Sequence, residues 1–235
     1  DKGIIPGIKV DDGTVDFEGR TGEKITQGLD GLSERLEEYY AMGARFTKWR
    51  AVVSIGDGIP TKECMKENAQ ILANYAAAAQ AGGFVPIVEP EVLLDGNHSI
   101  EKAEEITTNT LKSVFEELHK AQIDLKGLIL KSSMVLSGKE CSEQANAKQV
   151  AASTARTLSN SVPKEVAGIV FLSGGQSPQQ ATENLSEIIK LVRSSSLSLG
   201  VEDQLADWPL SFSFCRALQE PVLEAWRGDK ANVEV

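Results

Sequence analysis

Two spacings of apolar residues alternate along this chain. Short apolar runs of about four to eight residues are separated by longer stretches in which apolar positions recur every three or four residues. These are the signatures of buried strands and amphipathic helices. Gly3-Ile4-Ile5-Pro6-Gly7-Ile8-Lys9-Val10 reads as a short buried strand ending near Lys9, followed by a turn at Asp11-Asp12-Gly13. Leu29, Leu32, Leu36 and Tyr39 keep helical spacing up to a stop at Gly43. Residues 45–53 read as a strand, 61–80 as a helix closed by Gly82-Gly83, and 84–91 as another apolar strand. Ser99 caps an amphipathic helix that reaches about Ala121, ahead of the run Leu128-Ile129-Leu130-Lys131-Ser132-Ser133-Met134-Val135. A helix over 144–159, a strand over 166–172, a helix opened by Ser177-Pro178, a strand over 209–216 and a short helix to about Trp226 complete the order.

Strand and helix thus alternate throughout, which predicts a parallel sheet covered by helices. A doubly wound sheet would carry a G-x-G-x-x-G turn after a strand, and the chain has none. A (β/α) barrel is the better fit, and in barrels the chemistry gathers at the C-terminal ends of the strands. Those ends carry Lys9, Lys48 with Arg50, Glu89 with Glu91, Lys131, Ser173-Gly174 and Arg216.

Each of these has a bland reading beside the chemical one. Lys131 ends an apolar run and so is either a lysine that has reached solvent or a desolvated amine able to attack a carbonyl. Lys48 and Arg50 stand two apart and share a face, as solvated cations or as site residues. Glu89 and Glu91 share a face across Pro90, as loop acids or as a general acid and base. Ser173-Gly174-Gly175 is a turn whose N–H groups can meet an anion, and Arg216 offers a guanidinium beside it. Read as one ring, Lys48 would repel the charge of Lys131 and Glu89 would move protons. The implied reaction class is carbonyl chemistry through a lysine imine on a phosphorylated substrate.

Composition sets the background. Over 235 residues the formal net charge is −10, with 41% hydrophobic and 25% charged residues. That balance fits a globular protein and argues against nucleic acid or an anionic membrane as partner. No apolar run approaches membrane-spanning length, and Asp1-Lys2-Gly3-Ile4 lacks a signal-peptide pattern. Cys64, Cys141 and Cys215 form no C-x-x-C pair and suit reduced thiols in a cytoplasmic compartment. A plastid address would lie upstream of Asp1. His98 and His119 are the two histidines, and they form no zinc-binding pair.

From Gly7 to Trp226 the chain resembles class I fructose-1,6-bisphosphate aldolases of the eukaryotic type. The matching blocks are Gly7-Ile8-Lys9-Val10-Asp11, Thr26-Gln27-Gly28-Leu29-Asp30-Gly31-Leu32, Lys48-Trp49-Arg50, Val88-Glu89-Pro90-Glu91, Leu130-Lys131, Phe171-Leu172-Ser173-Gly174-Gly175-Gln176-Ser177 and Arg216-Ala217-Leu218. The resemblance implies an α/β fold, a (β/α)8 TIM barrel of which this chain supplies strands 3 to 8 in one domain. It implies a metal-free homotetramer without cofactor, acting on a phosphorylated sugar. Lys131 would form the imine. Glu89 would be the main acid and base, supported by Glu91 and Lys48. Ser173, Gly174 and Arg216 would take the phosphate nearest the ketone, and Lys9 with Arg50 the distant one. Two strands would precede the Gly7 block, the first with an active-site aspartate, and a tail ending in tyrosine would follow Val235. The chain departs from the family at Cys215, where a glycine is usual, and at Ser132-Ser133, where Pro-Asn or Pro-Ser is usual. A non-catalytic aldolase-like binding or assembly protein is the alternative reading.

Overall fold

The structure, a computed structural model, describes residues 2–198 and 208–233, with side chains described outside 193–198. Six strands form one parallel sheet. In spatial order they are β1 (Gly7–Lys9), β4 (Phe46–Val53), β5 (Val85–Val92), β6 (Ile129–Ser132), β7 (Gly168–Phe171) and β8 (Leu210–Phe212). Helices α1 (Leu32–Ala41), α2 (Lys62–Ala81), α3 (Ile100–Lys120), α4 (Ala147–Ser161), α5 (Pro178–Ser198) and α6 (Arg216–Trp226) alternate with them. This is the fold class expected from the alternation, six strands of an α/β barrel.

One row of side chains sets the register. Trp49, Val88, Leu130 and Ile169 are partners across four adjacent strands, and each is 0% exposed. They face the helices, against Leu72, Tyr75, Leu111, Leu118 and Leu158 in the same core. Burying such side chains is worth roughly 1.5–3 kcal/mol apiece, so a slip of one residue, which would turn this row to the other face, is prohibitive. The same alternation turns Lys48, Arg50, Glu89 and Lys131 to the opposite face. Trp49 stacks on Tyr75 at 5.3 Å, and the Tyr75 hydroxyl meets Thr47 Oγ1 at 2.8 Å. Burial pushes the Tyr75 phenol pKa up, against the hydrogen bonds of Thr47 and the Ile87 carbonyl.

The helix starts follow local chemistry. Thr61 accepts from the Cys64 N–H, Ser99 from Lys102, and Asn146 with Gln149 forms a capping box. Ser177 Oγ accepts from the Gln180 N–H at 3.1 Å.

Three expectations are corrected. The first strand is not buried over residues 3–10. Only Gly7–Lys9 pairs, and Ile4 and Ile5 are 80% and 65% exposed, because β1 is an edge of the sheet with β4 as its one neighbour. The last strand stops at Phe212, so Arg216 opens α6 rather than ending a strand. Residues after Asp11 form a hairpin, β2 (Gly13–Asp16) against β3 (Lys24–Gln27), where only a turn was expected.

That hairpin is tied down by Thr26 and Glu23, and by the Lys24 carbonyl, which accepts from Asn68 Nδ2 at 2.8 Å. Thr26 Oγ1 donates to the Arg50 carbonyl at 2.7 Å, and the buried Glu23 carboxylate accepts from Thr61 N at 2.6 Å and Thr61 Oγ1 at 2.7 Å. Glu23 thus anchors the N-terminus of α2, where a negative charge is favoured. Glu23→Ala leaves these donors without a partner, and its expected cost is about 2 kcal/mol. A urea midpoint equal to that of the parent would refute this account of the hairpin.

Candidate active site

The C-terminal ends of the strands surround an open cleft of ≈ 350 Å³, lined by Lys48, Arg50, Glu89, Glu91, Lys131, Leu172, Ser173, Gly174, Ser213, Cys215 and Arg216. This volume lies at the lower end of the range for small-molecule sites, about 300–1,000 Å³. Four cations and two carboxylates face it, a local surplus of two positive charges in a chain of net charge −10. An anionic ligand fits that surplus.

Lys131 is 9% exposed, so the reading in which it has simply reached solvent fails. β6 runs one residue beyond it, to the buried Ser132. The ladder pairs Ile87 with Ile129 and Val88 with Leu130, and its continuation puts Lys131 beside Glu89. The Lys131 ammonium lies 3.0 Å from Glu89 Oε1, and the Lys48 ammonium 2.5 Å from Glu89 Oε2. Glu89 is 2% exposed. Its Oε2 has the ionic contact but no well-aligned hydrogen-bond donor among the described residues.

This geometry corrects one inference from sequence. The two lysines do not simply repel each other, because one buried carboxylate bridges them. A proton leaving Lys131 therefore has a receiver at hydrogen-bond distance.

Arg50 pairs with Glu91 through Nε and Oε2. Desolvation pulls the pKa of the Arg50 guanidinium down, but the hydrogen bond and charge of Glu91, with Glu89 and Asp11 behind, more than offset this and the net shift is upward. β5 runs through Pro90 unbroken, so the two glutamates share the cleft face as their spacing suggested. Asp11, buried and read from sequence only as part of a turn and a family block, receives the Arg50 backbone N–H on Oδ2 at 3.2 Å. Its i, i+2 relation to Lys9 was the available signal. Lys9 does not line the cleft; its ammonium is held 2.6 Å from Asp11 Oδ1.

At the other side, Ser173, Gly174 and Arg216 meet. Gly174 and Gly175 have φ of +58° and +87°, the left-handed region that glycine enters without strain. A Cβ on Gly174 would also fall 2.9 Å from Leu172 Cδ1. Ser132 and Ser133, after the lysine, are buried and satisfied, donating to the carbonyls of Ser133 and Val92 at 3.0 and 3.2 Å. Cys215 lies exposed in the cleft at the start of α6. Cys64 is buried elsewhere, its thiol pushed up to about 11 by burial and then by the charge of Glu23.

A parallel α/β sheet with a buried lysine–carboxylate–lysine set at its strand ends defines an α/β barrel protein with its charged cleft at the C-terminal ends of the strands. The family model for fructose-bisphosphate aldolase class-I matches residues 1–235. The chain belongs to that family. It is 51% identical over 229 residues to a protein of Xanthomonas campestris named "Probable fructose-bisphosphate aldolase class 1", covering 97% of this chain and 65% of that one. It is 47% identical to cytosolic fructose-bisphosphate aldolase 5 of Arabidopsis thaliana, covering 99% and 62%. A solved fructose-bisphosphate aldolase from Plasmodium falciparum superposes with a TM-score of 0.90 at 46% identity, over 98% of this chain and 64% of that one. The chain thus spans just under two thirds of the length of these relatives.

Proposed function

We propose that this chain supplies the catalytic part of an aldolase that reversibly cleaves fructose 1,6-bisphosphate to dihydroxyacetone phosphate and glyceraldehyde 3-phosphate. The supporting observation is the buried Glu89 carboxylate between Lys48 and Lys131. Lys131 Nζ passes a proton to Glu89 and adds to the C2 carbonyl. The carbinolamine then loses its hydroxyl as water, taking a proton back from Glu89. The iminium draws the electron pair of the breaking C3–C4 bond, leaving an enamine on Lys131 while Glu89, again a carboxylate, takes the proton of the C4 hydroxyl, which becomes the aldehyde. Return of that proton to C3 of the enamine and addition of water to the resulting iminium release the ketone and restore the amine.

Lys48 holds Glu89 in place and compensates its charge. Arg50 and Glu91 orient each other beside it. The phosphate nearest the ketone would sit between the N–H groups of Ser173-Gly174 and Arg216, and Arg50 would face the distant one. Lys9 would have to exchange Asp11 for that phosphate to reach it. On this reading residues 1–235 belong to one barrel domain and the enzyme works in the cytoplasm, which the cytosolic relative supports. The homotetramer rests on family likeness alone. A non-catalytic role is not favoured, since the relatives are named as enzymes.

Borohydride reduction in the presence of dihydroxyacetone phosphate tests the reading on the full chain. The expected product is one secondary amine on the peptide that carries Lys131. No adduct, or an adduct confined to another lysine, refutes it.

A further inference from the structure

Lys139 lies outside the strand ends, in the segment after β6, and plays no part in the scheme above. Its backbone is fastened to the segment after β5. Lys139 N donates to the Leu94 carbonyl at 2.8 Å, Glu140 N to Gly96 at 2.9 Å and Gly138 N to His98 at 2.8 Å. Contact there is so close that a Cβ on Gly138 would stand 2.2 Å from the Gly96 carbonyl oxygen. Gln144 ties the same segment from the other side, donating to the Gly138 carbonyl at 2.8 Å. The position of Lys139 Cα is thereby held.

That side chain reaches over the glycine turn. A Cβ built on Gly175 would be 3.2 Å from Lys139 Nζ and 3.6 Å from Arg216 Nη2. Both cations lie within those distances of one point, so they are at most 6.8 Å apart, the sum of the two. Two like charges converging on one small turn beside N–H donors favour an anion between them. Lys139 pairs with Asp95 at 3.3 Å, an ion pair in which both side chains are largely exposed, 46% and 71%. Such an exposed pair contributes little, and a phosphate dianion can displace it.

We propose that Lys139 is a specificity-determining residue of the phosphate site, closing over Gly175 on the phosphate nearest the ketone together with Arg216, with Asp95 as the competing partner that it exchanges for the phosphate. This rests on the aldolase reading for the substrate but not for the anion. The side chain contacts the phosphate and not the reacting carbon. Its expected effect is therefore on discrimination between phosphorylated and unphosphorylated ketones.

The test uses the full chain and two readouts. Inorganic phosphate binding is measured as protection of Cys215, which shares the cleft, from iodoacetamide, followed on the Cys215 peptide. Lys139→Met is expected to raise the phosphate Kd about tenfold, Lys139→Arg to restore most of the loss, and Asp95→Asn to lower Kd about twofold. Borohydride trapping then compares dihydroxyacetone phosphate with dihydroxyacetone, and the ratio of their trapping efficiencies is expected to fall about tenfold in Lys139→Met. A Lys139→Met Kd within twofold of the parent, with adducts still forming on Lys131, overturns this inference and leaves the aldolase reading standing. Protection lost as expected, but no adduct on Lys131 in any form, keeps the phosphate site and overturns the aldolase reading.

Discussion

Replacing Lys131 by methionine is expected to abolish cleavage, by at least about 10⁴-fold in kcat/KM, the scale on which removal of a covalent nucleophile acts. Methionine matches the length and apolar stem of lysine, so Leu128, Leu130 and the helices behind them keep their packing. What disappears is the nitrogen that bonds to the substrate. Glu89 loses one of its two cations but keeps Lys48 at 2.5 Å, so the carboxylate is not left alone in its buried site. The unfolding midpoint should therefore move far less than the activity does. A coupled assay of fructose 1,6-bisphosphate cleavage decides the matter, with the borohydride adduct as second readout. Retention of more than about one hundredth of the parent activity would remove Lys131 from the chemistry.

The second large effect is expected at Glu89. Glu89→Gln keeps the shape of the side chain and removes both its charge and its capacity to accept a proton. Proton transfer by a positioned group contributes roughly 10²–10⁴ in rate, so kcat should fall by about that factor. The variant should also lose stability, because Lys48 and Lys131 would then face each other in a buried place with no charge between them. Removing one partner of a buried ionic set costs about 3–5 kcal/mol. Glu91→Gln provides the contrast. Glu91 pairs with Arg50, which is more exposed and does not touch Lys131, so the loss in rate should be smaller. Equal effects of the two substitutions on kcat, or a kcat for Glu89→Gln within threefold of the parent, would take the proton shuttle away from Glu89.

Much of this site could be read from spacing. Lys48 with Arg50, and Glu89 with Glu91, stand two apart on strands, and the pleat turns each pair to one face. The buried row Trp49, Val88, Leu130 and Ile169 was visible as apolar residues in four separate runs. Thr61 and Ser99 opened helices where their side chains met the first N–H groups. The β2–β3 hairpin was not legible, because its strands are four residues each with charged ends, too short for a clear period of two. It is held by Glu23 on Thr61 and Thr26 on Arg50, contacts 38 and 24 residues away in sequence.

The chain's residue types and periodicities were enough for the alternating fold, the helix starts at Thr61 and Ser99, and the inventory of amines, acids and glycines near the strand ends, because those follow from local sterics and from which face of an element must be buried. Only the tertiary structure decided the pairing. In register Arg50 stands opposite Glu89, yet the contacts run diagonally, Lys48 to Glu89 and Arg50 to Glu91. The placement of Lys139 over Gly175 and of Arg216 at the start of α6 is of the same kind. Such contacts depend on where neighbouring strands and loops come to rest when the whole core packs, and no spacing within one segment encodes that.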